Sequence, residues 1–116
     1  MKFKLIMALV TDEKTDAIIE AGRHEGATGS TTITSAHGEG LNPKKSFFGL
    51  ALEGQRDVVL FLVEEHLSRR ILEAIAKAGK FDEEHGAGVA FQIDIEDAVG
   101  LKTQIENIQR EIEDEL

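Results

Sequence analysis

The chain has 116 residues, of which 41% are hydrophobic and 30% charged, a balance typical of one folded domain and unlike a disordered chain. Its formal net charge of −9 argues against nucleic-acid binding, which needs a basic surface, and the lack of cysteine excludes disulfides and thiolate metal sites. The apolar run near Met1 is too short for a membrane span or a signal sequence, so we expect a cytoplasmic protein without membrane insertion.

The first half of the chain predicts a strand, a helix and a second strand. Residues 3–10 are an apolar run typical of a buried strand, and a helix follows from about Asp12 to His24. The apolar stripe predicted for this helix contains Ala17, Ile18 and Ala21. Residues 30–35 are β-branched and rich in hydroxyl groups, which predicts a polar edge strand.

The second half repeats this order. Residues 58–63 are apolar like the first strand, residues 67–79 have the spacing of an amphipathic helix, and residues 89–93 predict a fourth strand. Leu9 aligns with Leu62, and Ile18 with Ile71 at the same offset. Two tandem strand–helix–strand units predict an α+β, ferredoxin-like βαββαβ sandwich with the first and third strands at its centre.

The first and third predicted strands are apolar on both faces, although two helices can cover only one face of a four-stranded sheet. A monomer would leave the second apolar face in water, so we predict a homo-oligomer whose sheets pack face to face. An alternative is that the C-terminal segment, residues 101–116, covers this face within one subunit. That segment predicts an acidic amphipathic helix, which covers the sheet face or pairs with a neighbour. Its apolar stripe consists of Leu101, Ile105, Ile108, Ile112 and Leu116.

The stretch 27–40 (ATGSTTITSAHGEG) carries the clearest candidate for a binding site. Its glycines would let backbone N–H groups approach an anion closely, because no Cβ stands in the way. A hydroxyl-rich edge strand that leads into such a turn suits the rim of a small-ligand site. The alternative is an ordinary solvated edge strand with a glycine turn.

Three stretches together resemble the P-II signal-transduction protein superfamily, trimeric regulators best known from nitrogen control. They are residues 27–40, residues 71–80 (ILEAIAKAGK) followed by 86–88 (GAG), and residues 94–99 (DIEDAV). The resemblance extends over residues 2–103 and implies one P-II-like domain over the whole chain. It also implies a homotrimer that senses a small effector and regulates a partner enzyme or transporter. It implies no catalysis, and we find no candidate catalytic residues in the sequence.

The resemblance implies an adenine nucleotide, ATP, ADP or AMP, bound in clefts between subunits. The residues that it would place there are Gly29, Thr31, Gly38, Gly40, Gly86, Gly88 and Lys102. Two basic positions of the family are lost, because Val89-Ala90 replaces a lysine and Gly100 replaces the first of two cations. Each loss removes roughly 1.5–3 kcal/mol of charge-assisted hydrogen bonding. The resemblance would also place His85 and the acidic residues 82–84 where phosphate approaches.

The resemblance implies that residues 41–56 correspond to the family's partner-binding T-loop, although this stretch is several residues shorter than the usual loop. We interpret them as a partner-docking loop whose contact residues are Lys44, Lys45, Phe47 and Phe48. The alternative is an extra strand packed on the body of the domain. The chain has no tyrosine, which excludes the tyrosine uridylylation of enteric members.

A second functional hypothesis is a divalent-metal-binding trimer, similar to the cation-tolerance proteins that share this architecture. Its candidate ligands are His37 and His85, which a trimer could bring near carboxylates of another subunit. The four histidines have no i,i+4 spacing, so the sequence predicts no pair of histidine ligands on one helix.

Overall fold

The computed structural model describes residues 1–37, 55–101 and 110. Its elements are β1 (Phe3–Thr11), a short 3-10 turn (Asp12–Lys14), α1 (Thr15–His24), β2 (Thr31–His37), β3 (Gln55–Glu64), α2 (Glu65–Gly79) and β4 (Gly88–Asp94). The strands form one antiparallel sheet in the order β2-β3-β1-β4. This confirms the ferredoxin-like fold with the first and third strands at the centre.

The predicted loop 41–56 ends earlier than the sequence suggested. Gln55 and Arg56 belong to β3, where they pair with His37 and Ala36 of β2, so this part of the prediction was wrong. The strand begins before its apolar run because backbone pairing includes the polar residues that precede Val58. The rest of the predicted docking loop, including Lys44, Lys45, Phe47 and Phe48, lies outside the described residues.

The hydrophobic core lies between the two helices and one face of the sheet. Phe61 of β3 is its largest fully buried side chain and is paired with Ile6 of β1. A Cβ at Gly22 of α1 would lie 2.9 Å from the Phe61 ring, so the ring fills the space of a side chain there. The buried stripe of α1 therefore runs through Ile18 and Gly22. Ala17, predicted to lie in that stripe, is exposed instead.

The opposite face of the sheet is apolar and is covered by neither helix. Across the central strands its residues pair as Leu5–Leu62, Met7–Leu60 and Leu9–Val58. These six side chains are half-buried, and β4 continues the same face with Phe91 and Ile93, which are 37% and 43% exposed. The structure thus confirms that both faces of the central strands are apolar. We call this surface the open sheet face.

Candidate functional site

Gly29 and Thr31 lie at the beginning of β2, on one edge of the sheet. Thr31 pairs with Leu60 of β3, and both candidate residues are exposed. A Cβ at Gly29 would meet no atom within 4 Å, so the backbone there is open to a ligand. Further along β2, a bulge between Ile33 and Ala36 changes the register before the chain reaches Gly38 and Gly40, which lie outside the described residues.

Gly86 and Gly88 lie in the loop that connects α2 to β4, which we call the glycine loop (residues 82–88). Gly86 has φ 76°, in the left-handed region that favours glycine. Gly88 begins β4 opposite Val10, and a Cβ there would lie 2.5 Å from the Phe81 ring. The Thr11 N–H donates to the Ala87 carbonyl at 3.4 Å and holds the loop against the end of β1.

The two groups of candidate residues lie on opposite edges of the sheet. β2 is one edge strand and β4 the other, with β3 and β1 between them. Three strand spacings separate the edges by about 14 Å. One subunit therefore does not bring Gly29 and Thr31 together with Gly86 and Gly88. A cleft that contains both groups needs two copies of the chain.

Comparison with known proteins identifies the family. Residues 3–105 match the family model described as nitrogen regulatory protein P-II. The chain belongs to the P-II family. No curated protein sequence is significantly similar to it.

Two solved structures share the P-II fold with this chain. A PII-like signaling protein from Thermus thermophilus is 25% identical, with a TM-score of 0.60, 82% of this chain covered and 88% of that one. CPII from Thiomonas intermedia, solved with ADP, AMP and acetate, is 18% identical, with a TM-score of 0.63. That match covers 81% of this chain and 86% of the other.

The glycine loop carries more acidic than basic groups. Asp82, Glu83 and Glu84 are exposed, and Lys14 forms an ion pair with Glu84 at 3.1 Å. Val89 and Ala90, which replace the lysine that the resemblance to P-II proteins leads one to expect, are half-buried in β4. Among the described residues of the loop, no cation is placed to neutralise a bound phosphate. Lys102, the remaining predicted cation, lies outside the described residues.

A polar cluster that the sequence analysis missed lies where β3 begins. Arg56 and Asp57 are only 5% and 8% exposed. The Asp57 carboxylate accepts a hydrogen bond of 2.6 Å from the Thr15 hydroxyl at the start of α1. The cluster ties β3 to α1 next to the predicted docking loop. The signal in the sequence is the pair of charges directly before the apolar run 58–63, of which only Arg56 falls in the predicted loop 41–56.

A group of three possible metal ligands lies at the other end of β3, among the residues that the structure describes. Glu64, Glu65 and His66 offer oxygen and nitrogen atoms within 4.8 Å of one another. The buried Glu64 carboxylate accepts from the His66 N–H at 2.7 Å and contacts its Nδ1 at 2.5 Å. This hydrogen bond and the charge of Glu64 raise the pKa of His66. Glu64 is the N-cap residue of α2, and this capping role explains why the three side chains lie together without a metal.

The predicted metal ligands His37 and His85 are not part of that group. His37 ends β2 and His85 lies in the glycine loop, so within one subunit they are on opposite edges of the sheet. In the described part of the chain, no helix is both long and apolar enough to cross a membrane.

Proposed function

We propose that this P-II family member is a signalling regulator that binds an adenine nucleotide in clefts between the subunits of a homotrimer. The observation that carries the proposal is the placement of the candidate residues. Gly29 and Thr31 are on the β2 edge, and Gly86 and Gly88 are on the β4 edge of the same sheet. Both groups of residues can contact one ligand only if the β2 edge of one subunit meets the β4 edge of the next.

The open sheet face supports the assembly that such clefts require. A continuous apolar surface formed by three strands is larger than soluble monomers usually expose. Closed rotational symmetry would bury it against the same surface of other copies and would bring unlike edges together at each boundary. A single interface type would then create one cleft per subunit.

The geometry of the glycines supports an anionic ligand. Backbone N–H groups at glycine can surround a phosphate, and a threonine hydroxyl can donate to it or accept from a base. Gly29 has open space in front of it, and Gly86 has a backbone conformation that side chains disfavour. The nucleotides reported for CPII guide the choice of ADP and AMP as probes for this chain.

The proposed output is a partner enzyme or transporter bound through residues 41–54, the predicted docking loop without the two residues that belong to β3. Lys44 and Lys45 would supply charge for steering, and Phe47 and Phe48 would supply apolar anchors. β2 and β3 flank this segment, so a nucleotide at the rim of β2 would bias its conformations. The proposed role includes no catalytic step.

The experiment is isothermal titration with ATP, ADP and AMP, with the oligomeric mass measured on the same preparation. We expect a trimer that binds one nucleotide per subunit. Gly29→Ala should weaken binding without loss of stability, because the added methyl group meets nothing within its own chain. The matched control is Ala17→Ser, which adds one atom at an exposed position of α1.

A second pair of variants tests the predicted cation. Lys102→Ala should weaken ATP more than AMP, whereas Arg23→Ala, which removes an exposed cation on α1, should leave both unchanged. A trimer that binds none of the three nucleotides would overturn the nucleotide assignment. A stable monomer would overturn the intersubunit cleft itself.

A further inference from the structure

Two lysines from different elements converge on one carboxylate of the glycine loop. The Lys14 Nζ lies 3.1 Å from Oε2 of Glu84, and the Lys80 Nζ lies 3.9 Å from Oε1 of the same side chain. Lys14 ends the 3-10 turn after β1, and Lys80 follows the last residue of α2. Among the ion pairs of the described residues, Glu84 supplies the one carboxylate that either lysine contacts. The Glu84 carboxylate therefore occupies the place of a small anion between two cations.

Lys14 is the better placed of the two cations to hold an anion. Its side chain is only 16% exposed, compared with 55% for Lys80 and 48% for Glu84. Most of the Lys14 side chain is thus already held by the protein around it, so little conformational entropy is lost when its ammonium group changes partner. The Glu84 side chain is half-exposed, so it can turn into solvent without opening the core.

The backbone of the glycine loop offers two N–H groups directly after Glu84. Residues 84–87 form a β-turn in which the Ala87 N–H donates to the Glu84 carbonyl at 3.2 Å. Gly86 is the third residue of that turn, and its φ of 76° is that of a type II turn. The backbone N–H groups of His85 and Gly86 have no hydrogen-bond partner among the described residues. A phosphate that replaces the Glu84 carboxylate would therefore meet a cation and two free backbone donors.

We propose that Lys14 is a phosphate-binding cation of the cleft, and that Glu84 holds its ammonium group until a phosphate displaces the carboxylate. This role of Lys14 rests on the proposed function for the identity of the natural ligand, a nucleotide phosphate. It supplies a cation that the glycine loop itself lacks, since Val89 and Ala90 replace the expected lysine. Lys14 reaches the loop from the turn after β1, and the hydrogen bond from the Thr11 N–H holds the loop against that strand.

The competing interpretation is that the ion pair between Lys14 and Glu84 only fastens the glycine loop to the end of β1. Under both interpretations, a change of either residue loosens the loop. Only a displaceable Glu84 predicts opposite effects on phosphate binding, a gain when Glu84 is neutralised and a loss when Lys14 is. The exposed carboxylates of Asp82 and Glu83 also repel phosphate, so these effects have to be separated from a general change of charge.

Inorganic pyrophosphate is the probe, because it carries phosphate groups without a base or a ribose. NMR titration would follow the backbone amides of His85 and Gly86. Glu84→Gln should bind pyrophosphate about 3- to 10-fold more tightly than the natural chain, because a neutral amide competes less for the Lys14 ammonium group. The matched control is Glu83→Gln, which removes the same charge one residue away, at an exposed carboxylate without an ion pair to Lys14. An equal gain in both variants, or no binding to Glu84→Gln, would overturn the proposal.

Lys14→Met removes the ammonium group and keeps most of the buried stem of the side chain. It should weaken pyrophosphate binding about tenfold, because a charge-assisted hydrogen bond is lost. Lys2→Met, which removes an exposed cation just before the other end of β1, is the control and should have little effect. In a Lys14→Met background, Glu84→Gln should give no larger gain than Glu83→Gln does. A larger gain there would show that Glu84 acts by repulsion alone and that Lys14 does not bind the phosphate.

Titration of the same variants with ATP, ADP and AMP separates this role of Lys14 from the nucleotide assignment. Pyrophosphate binding that depends on Lys14, in a chain that binds none of the three nucleotides, would overturn the nucleotide and leave the phosphate site in place. Nucleotide binding that is unchanged in Glu84→Gln and in Lys14→Met would keep the proposed function and overturn the role of Lys14. Neither residue belongs to the hydrophobic core, so urea unfolding should show that both variants are folded.

Discussion

The aromatic ring of Phe81 occupies the space where a side chain at Gly79 would have to lie. The same ring closes the space in front of Gly88, where a Cβ would lie 2.5 Å from its Cε1 atom. Gly79 ends α2 and Gly88 begins β4. One side chain thus packs against both the end of α2 and the beginning of β4, and two glycines make room for it.

Gly79→Ala should destabilise the fold by about 1–3 kcal/mol through overpacking against Phe81. Alanine is the better helix former by about 1 kcal/mol, so a net loss of stability would isolate the steric cost. Urea unfolding measures the difference. In a Phe81→Ala background the same substitution should become neutral or stabilising, since the three nearest atoms all belong to that ring. A neutral effect in the natural chain would mean that the ring moves aside easily.

Thr15→Val should cost about 1–3 kcal/mol of unfolding free energy, because it removes a hydrogen bond from a buried carboxylate. The Thr15 hydroxyl donates to Asp57 at 2.6 Å, and both residues are buried. Valine keeps the shape of threonine, so the loss reports the hydroxyl group and not a cavity. Thr28→Val, at an exposed position, is the matched control. Equal stability of the two variants would contradict the assigned hydrogen bond.

The strand and helix order could be predicted from the sequence because each apolar pattern matches one buried face. The buried stripe of α1 could not be predicted exactly, because the Phe61 ring from β3 packs against Gly22 and Ala17 stays exposed. The local pattern contains no information about that ring. Arg56 falls in the predicted loop and Asp57 between that loop and the predicted strand, yet both are buried where β3 pairs with β1, and Asp57 accepts a hydrogen bond from Thr15.

The sequence names candidate residues for the site, but it does not predict how they are arranged in space. The glycine positions follow from the motif, whereas their separation on the two sheet edges follows from the strand order. From the sequence alone, Gly29 and Gly88 are equal candidates for contact with the ligand. In the structure, Gly88 is required by the Phe81 ring, and Gly29 has open space in front of it. Of these two glycines, Gly29 is therefore the one whose substitution tests ligand binding without disturbing the fold.

The pairing of His66 with Glu64 should make stability depend on pH. The hydrogen bond to Glu64, followed by its charge and that of Glu65, raises the pKa of His66 above 6.5 in the folded state. The stabilisation is fully present below the unfolded pKa near 6.5 and is lost as the pH rises through the folded value. NMR titration of the imidazole and urea unfolding at several pH values would measure both quantities.

Glu64→Gln should lower the pKa of His66 and flatten this pH dependence, because the amide keeps one hydrogen-bond acceptor but removes the negative charge. His24→Gln, which removes another exposed helical histidine, is the control and should leave the pH dependence of the natural chain in place. A His66 pKa that stays unchanged in Glu64→Gln would show that Glu65 sets it.

Phe91→Asp should dissociate the oligomer, because it places a charge on the apolar open sheet face. Phe91 is 37% exposed in the single chain and is paired with Met7, whose other neighbour is Leu60. A buried, unpaired carboxylate at a sheet-to-sheet interface would cost several kcal/mol, enough to shift a micromolar assembly to monomers. Val99→Asp introduces the same charge at a residue that is 94% exposed and should leave the mass unchanged. Sedimentation equilibrium distinguishes the two variants. An intact oligomer with Phe91→Asp would mean that another surface joins the subunits, and the two sheet edges would then need a different route to a common cleft.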